Sequence, residues 1–230
     1  MRIAGLQKLT LLDFPGRVAC TVFTPGCNFR CPFCHNASLV LGDLEGSFFN
    51  EEEFFRFLGK RKGILDGVAI TGGEPLLQPD IGDFLARIRE MGFQTKLDHN
   101  GSRPDVLRDL ISRGLLDYVA VDIKNSKEKY TETAGCASGM VDRVSETVEL
   151  LKQGNVHYEF RTTVVKELHE EEDFRKIGEW IRGAENYFLQ KFEDSGELIQ
   201  EGWNAAGKEE MQRYLETVRP YVMNAALRGM

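Results

Sequence analysis

Three cysteines, Cys27, Cys31 and Cys34, fall within eight positions of the run PGCNFRCPFCHNAS at 25–38, in the spacing C-x3-C-x2-C. Thiolates this close in sequence act as ligands of a soft metal centre or as redox partners. A structural zinc site needs four protein ligands, usually as two pairs. No second pair is present: Cys20 lies on an apolar run, Cys136 lies far away in AGCASG, and no two of the four histidines have helical ligand spacing. A Cys3His site using His35 would make adjacent residues chelate one ion in a strained geometry. Three thiolates do suit a 4Fe-4S cluster with one open iron, because cluster irons are held by cysteine and an unligated iron accepts an outside ligand. On that reading the absent fourth ligand marks a place where something binds.

The bulk of the chain is consistent with intracellular chemistry. Its 230 residues are 42% hydrophobic and 28% charged, without a Pro/Ser/Gly-rich linker, which is expected of one domain spanning 1–230. An odd count of five cysteines argues against a disulfide framework. The first residues, MRIAGLQKLTLLDFPG, lack the apolar stretch of a signal peptide, and no apolar run approaches the roughly 18 residues of a membrane span, so a cytoplasmic location is expected. The net charge of −7 and the shortness of the basic clusters disfavour nucleic acid as a partner. GKRKG at 59–63 reads as the basic end of a helix that begins after Asn50 with NEEEFFRFL, and HEEED at 169–173 reads as the acidic start of another.

Apolar runs rich in β-formers alternate with amphipathic runs. Strands are predicted at 18–24, 67–71, 93–98, 117–123, 156–165 and 186–192. Helices are predicted near 51–62, 79–91, 104–113, 142–153, 171–182 and 207–219, with Asn50, Pro104 and Asp142 as start signals. Strands each followed by a helix make a parallel sheet, either a curved (β/α)6 partial barrel or a doubly wound sheet. In both, ligands collect at the carboxyl ends of the strands. The unusual residues obey that rule: the cysteines follow strand one, TGGEP closes strand two, LDHNG strand three, VDIK strand four, and Arg161 lies in strand five.

The cysteine spacing, with Phe33 before the last cysteine and a strand just ahead, resembles the radical S-adenosylmethionine (SAM) superfamily. More narrowly, GLQKLTLLDFPGRVACTVFTPGCNFRCPFCHN looks like the activating proteins of glycyl radical enzymes, nearest those of anaerobic ribonucleoside-triphosphate reductase. The likeness extends from LDFPG to the last helix. It implies an α/β fold, a partial (β/α)6 TIM-like barrel, with a 4Fe-4S cluster on Cys27, Cys31 and Cys34 whose open iron is chelated by SAM. Phe33 matches the aromatic position beside the adenine. TGGEP, with Gly72, Gly73, Glu74 and Pro75, is similar to the motif that holds the methionine amino group. From the residues alone, the two glycines allow a close backbone approach and the proline stiffens a turn. Asp98 and Asp122 match carboxylates that hold a monovalent cation near SAM in pyruvate formate-lyase activators, although each could simply cap a turn. Lys124 matches the lysine of a D-x-K signature, and Arg161 a basic residue near SAM. Gln190 stands where those activators carry a histidine, and the ferredoxin-like insertion with extra clusters is absent.

The function implied is reductive cleavage of SAM by an electron from flavodoxin or ferredoxin, the radical then taking a hydrogen from one glycine of a partner enzyme. The shortness of the chain beyond the core suits a macromolecular substrate, although the run 36–49 could serve as a lid over a small one. Alternatives are a radical SAM enzyme acting on a small molecule, an activator of a pyruvate formate-lyase-like enzyme, a non-catalytic metal scaffold, or a methylase using Cys136.

Overall fold

The computed structural model describes residues 1–42, 48–194 and 196–230. Its centre is one eight-stranded sheet with strands in chain order: β1 (Gly5–Thr10), β2 (Ala19–Thr24), β3 (Gly67–Gly72), β4 (Gln94–His99), β5 (Tyr118–Asp122), β6 (His157–Val164), β7 (Asn186–Lys191) and β8 (Asn224–Arg228). Strand β1 pairs antiparallel with β2, and every later neighbour pair is parallel. The order does not bring β8 back to β1, so the sheet is a partial barrel with an open seam. The six predicted strands are β2 to β7. Two flanking strands were not predicted, because GLQKLT is largely polar and NAALR is short and weakly buried.

The helices are α1 (Ala37–Leu41), α2 (Glu51–Gly59), α3 (Ile81–Glu90), α4 (Pro104–Ser112), α5 (Tyr130–Ala134), α6 (Met140–Lys152), α7 (Glu171–Trp180) and α8 (Lys208–Val218). Asn50 caps α2 as expected, its side chain accepting from the backbone N–H of Glu52 at 2.8 Å and of Glu53 at 3.3 Å. Asp142 does not cap α6: the helix starts earlier, at Met140 with Gly139 in the cap position, and Asp142 stands in its first turn. At the start of α7 the Asp173 side chain accepts the Glu170 N–H at 3.0 Å, while the Asp173 N–H donates to the Glu170 carbonyl at 3.0 Å. The 36–49 run is described only in part, since α1 occupies Ala37–Leu41 while 43–47 lie outside the described residues. Among the described residues no helix is long and apolar enough to cross a membrane.

The parallel strands bury both faces, as VAI of β3 and VAV of β5 show, because helices cover one side and the curved sheet encloses the other. Beneath the strands, the LDFPG segment closes the floor. Phe14 packs against Tyr118 with ring centroids 6.3 Å apart, and a Cβ on Gly67 would lie 2.8 Å from the Phe14 ring. The enclosed side is charged: Lys96 and Glu159 are each only 1% exposed. Glu159 accepts both Arg228 Nη atoms, at 2.7 and 2.8 Å, and the Tyr118 hydroxyl at 2.9 Å.

That pair ties the last strand to the middle of the sheet. Removing one partner of a buried pair leaves the other desolvated and uncompensated. Arg228→Ala is therefore expected to lower the urea-unfolding free energy by about 3 kcal/mol, and adding Glu159→Gln to that variant is expected to restore part of the loss.

Candidate active site

At the carboxyl ends of the strands lies a cavity of about 630 Å³, within the roughly 300–1,000 Å³ usual for cofactor and small-molecule sites. Cys27, Cys31, Phe33 and Cys34 line one part of it, Gly72 and Gly73 another, and Asp98, Asp122, Lys124 and Arg161 a third. Ten of the twelve residues singled out above are thus brought together. Glu74 and Pro75 are buried but do not line the cavity.

The cysteine loop is held by main-chain contacts from several directions. Glu74 N–H donates to the Gly26 carbonyl at 2.7 Å, Gly73 N–H to Thr24 at 2.8 Å, and the Gln78 side chain to Pro25 at 2.9 Å. Arg30 N–H reaches the carbonyls of Ala134 and Gly135 at 3.0 and 3.1 Å, and Gln200 N–H reaches Pro32 at 2.8 Å. The two glycines of TGGEP make this approach possible: a Cβ on Gly73 would sit 2.0 Å from the Gly26 oxygen, and one on Gly72, whose φ is +113°, 2.4 Å from the Thr24 nitrogen. Their close neighbour is the cysteine loop itself.

All three thiols are free. Cys31 is 7% exposed and donates to the Ala134 carbonyl at 3.4 Å, while Cys27 Sγ accepts from Phe29 N–H at 3.3 Å. Burial pushes the Cys27 thiol up to about 11 and the Cys31 thiol up to about 12. Without a metal both are therefore protonated at neutral pH. Among the described residues no three His, Cys, Asp or Glu side chains converge closely enough to hold one metal ion. Three thiols that line one cavity without converging fit a group with several metal atoms better than a single zinc ion shared with His35.

Beside the thiols, five charges are interlocked. Arg161 donates from Nε to Asp122 at 2.7 Å and from Nη1 to Asp98 at 3.0 Å; Lys124 donates to the other Asp122 oxygen at 3.0 Å, and Lys96 pairs with the other Asp98 oxygen. Burial opposes the charged form of both carboxyls, yet Arg161 together with Lys96 or Lys124 holds each below the usual carboxylate range. Burial likewise opposes charge on Lys124 and Arg161, and Asp122 overrides it, raising both above their ordinary values. All four carboxylate oxygens thus face protein cations. The structure places the Arg161 guanidinium between the carboxylates expected to hold a monovalent cation, so the donor set does not fit that ion and no step is assigned to it.

Glu74 is the buried hinge behind this wall. Its Oε1 accepts from Leu76 N–H at 3.0 Å and its Oε2 from Asn100 N–H at 2.7 Å. Gln190 reaches the cavity from β7, with Thr163 and Arg228 beside it. His99, on the same cavity, has burial pushing its ring down to about 4, and its Nε2 is a buried atom without a hydrogen-bond partner. A polar ligand would satisfy an orphan of that kind. His99 and Asn100 were quoted in LDHNG without a role of their own, because their use depends on contacts across the fold.

The Radical SAM superfamily model matches residues 21–181, and the chain belongs to that superfamily. Membership makes it an enzyme of the class whose members use a 4Fe-4S cluster and SAM. A Methanocaldococcus jannaschii protein, provisionally named a glycyl-radical enzyme activating enzyme, is 34% identical over 199 residues, covering 83% of this chain and 80% of its own. The pyruvate formate-lyase-activating enzyme of Clostridium pasteurianum is 28% identical over 192 residues, covering 80% and 78%. Among solved structures, Streptococcus suis SuiB bound to S-adenosylmethionine shares the fold with a TM-score of 0.68 at 16% identity, over 91% of this chain and 52% of that one.

Two outcomes test this geometry. Gly73→Ala should cost on the order of 2 kcal/mol of stability and reduce the iron bound per chain after reconstitution. Burial raises the Glu74 carboxyl from its ordinary 4.5 to about 7. The folded state therefore keeps a proton that the unfolded state has lost, and stability falls as pH rises between these values, by up to about 3 kcal/mol in total. Urea titrations from pH 5 to 8 should show this slope in the wild type and a flatter one in Glu74→Gln.

Proposed function

We propose that this protein is an activating enzyme that generates a glycyl radical on a partner enzyme, specifically an anaerobic ribonucleoside-triphosphate reductase, with flavodoxin or ferredoxin as its reductant. The observation that carries this reading is the cavity in which three free thiols adjoin the partly buried side chains of Lys124 and Arg161. Two relatives that cover about four-fifths of the chain bear activating-enzyme names.

On this reading Cys27, Cys31 and Cys34 hold three irons of a 4Fe-4S cluster, and the cavity beside them receives SAM. Bound there, the cluster and SAM supply one-electron cleavage of a carbon–sulfur bond and a hydrogen-abstracting carbon radical. The chain's own groups bind, orient and exclude water. Lys124 and Arg161 line the pocket, each paired with Asp122, and present N–H donors that suit the carboxylate of the SAM methionine. Phe29 and Phe33, each under 5% exposed, give the thiol side an apolar wall, which keeps water from a reactive radical. Gly72 and Gly73 hold the adjoining wall close. The seam between β1 and β8 is unpaired, and both strands contribute to the cavity through Gln7 and Arg228, so a glycine-bearing segment of another chain has a route in.

The test is anaerobic reconstitution with iron and sulfide, dithionite reduction, and EPR with and without SAM, followed by incubation with the candidate reductase. Expected are a reduced-cluster signal that shifts with SAM, release of 5'-deoxyadenosine, and a glycyl radical signal on the reductase, all falling to background in Cys31→Ala. A cluster indifferent to SAM would sink the whole reading. Nucleoside release without a glycyl signal on any glycyl radical enzyme would favour a small-molecule substrate.

A further inference from the structure

We infer that Asn100 is a positioning residue for the cluster, its side-chain N–H held against the Cys27 sulfur by a network that begins at Glu74; this rests on the reading of Cys27 as a cluster ligand. Asn100 is 6% exposed and sits just after β4. Its Nδ2 lies 2.9 Å from Asn28 Oδ1 and 3.8 Å from Cys27 Sγ. The amide orientation is fixed by its partners: Asn100 Oδ1 accepts the Ser102 N–H at 3.0 Å, so the NH2 group must face the cysteine loop. Asn28 is oriented in turn, since the Asn100 side-chain N–H points at its oxygen, and its own Nδ2 then donates to Ser102 Oγ at 2.9 Å. The main chain is also anchored: Asn100 N–H donates to Glu74 Oε2 at 2.7 Å, and Arg143 Nε donates to the Ser102 carbonyl at 2.9 Å.

One N–H of the amide goes to Asn28, and the second is the one available to Cys27. A donor to a cluster sulfur stabilises the more electron-rich, reduced form and raises the reduction potential. Glu74 thus acts on the cluster through Asn100 and the Gly26 carbonyl, two links that both end in the cysteine loop.

The measurement is the midpoint potential of the reconstituted cluster by EPR-monitored redox titration without SAM, alongside the thermal midpoint of each protein. Asn100→Ala removes the donor without adding charge; Asn100→Asp keeps the oxygen that holds Ser102 and preserves the turn while replacing the donor with an anion. The expected order is wild type highest, Asn100→Ala lower and Asn100→Asp lowest, with Asn28→Ala, which leaves the donor in place, nearer to wild type. Asn100→Ala and wild type at the same potential would overturn the inference, as would an unshifted Asn100→Asp should the alanine variant fail to fold. If wild type itself assembles no cluster, the reading of the cysteines is what has failed, and the absence of a wild-type signal identifies that case.

Discussion

The site depends on one close approach, the 2.7 Å hydrogen bond from Glu74 N–H to the Gly26 carbonyl, made where two glycines leave no side chain between the strand-end turn and the cysteine loop. Loops seldom hold reactive groups to useful tolerance unless a rigid element braces them. Here β3, buried in the centre of the sheet, supplies the brace, and its carboxyl end delivers Gly72, Gly73 and Glu74 in consecutive positions. The Ala134 and Gly135 carbonyls at the end of α5, which accept the Arg30 N–H, and Gln200 in the segment after β7 complete the hold. Because these contacts are between backbone groups, the path of the loop is set by the elements around it.

The interior is the second constraint. A barrel lumen lined by Lys96, Asp98, Glu159 and Arg161 is an expensive place for charge unless each group is paired, and here each is. The pairing runs across the strands, from β4 to β6 through Asp98 and Arg161, from β5 to β6 through Asp122, and from β6 to β8 through Glu159 and Arg228. Strand order and ion pairs therefore support one another. A slipped register would strand buried charges, so the polar lumen specifies the sheet more than it stabilises it.

The six central strands, Asn50 as a cap and the collection of unusual residues at one rim were legible because they rest on local signals: apolar runs, cap chemistry, and the rule that parallel strands present ligands at their carboxyl ends. Edge strands were not, since β1 and β8 gain their structure from a single neighbour and carry no apolar run. The roles of individual site residues were less legible still. Asp98 and Asp122 are chemically suited to a cation, and nothing in LDHNG or VDIK tells that Arg161, two strands and three helices later in Asp98's case, reaches both. Glu74 presents the same difficulty: its partner Asn100 is 26 residues away, and only the fold makes them neighbours.

The thiol and charged sides of the cavity are also linked in energy. On the proposed reading, converting protonated thiols into cluster ligands would place new negative charge in the loop, and metal uptake would release the protons that burial keeps on Cys27 and Cys31. Lys124 stands between the two sides: it pairs with Asp122 at 3.0 Å, and its charge favours the Cys31 thiolate. One ammonium can therefore serve both anions as the loop gains charge.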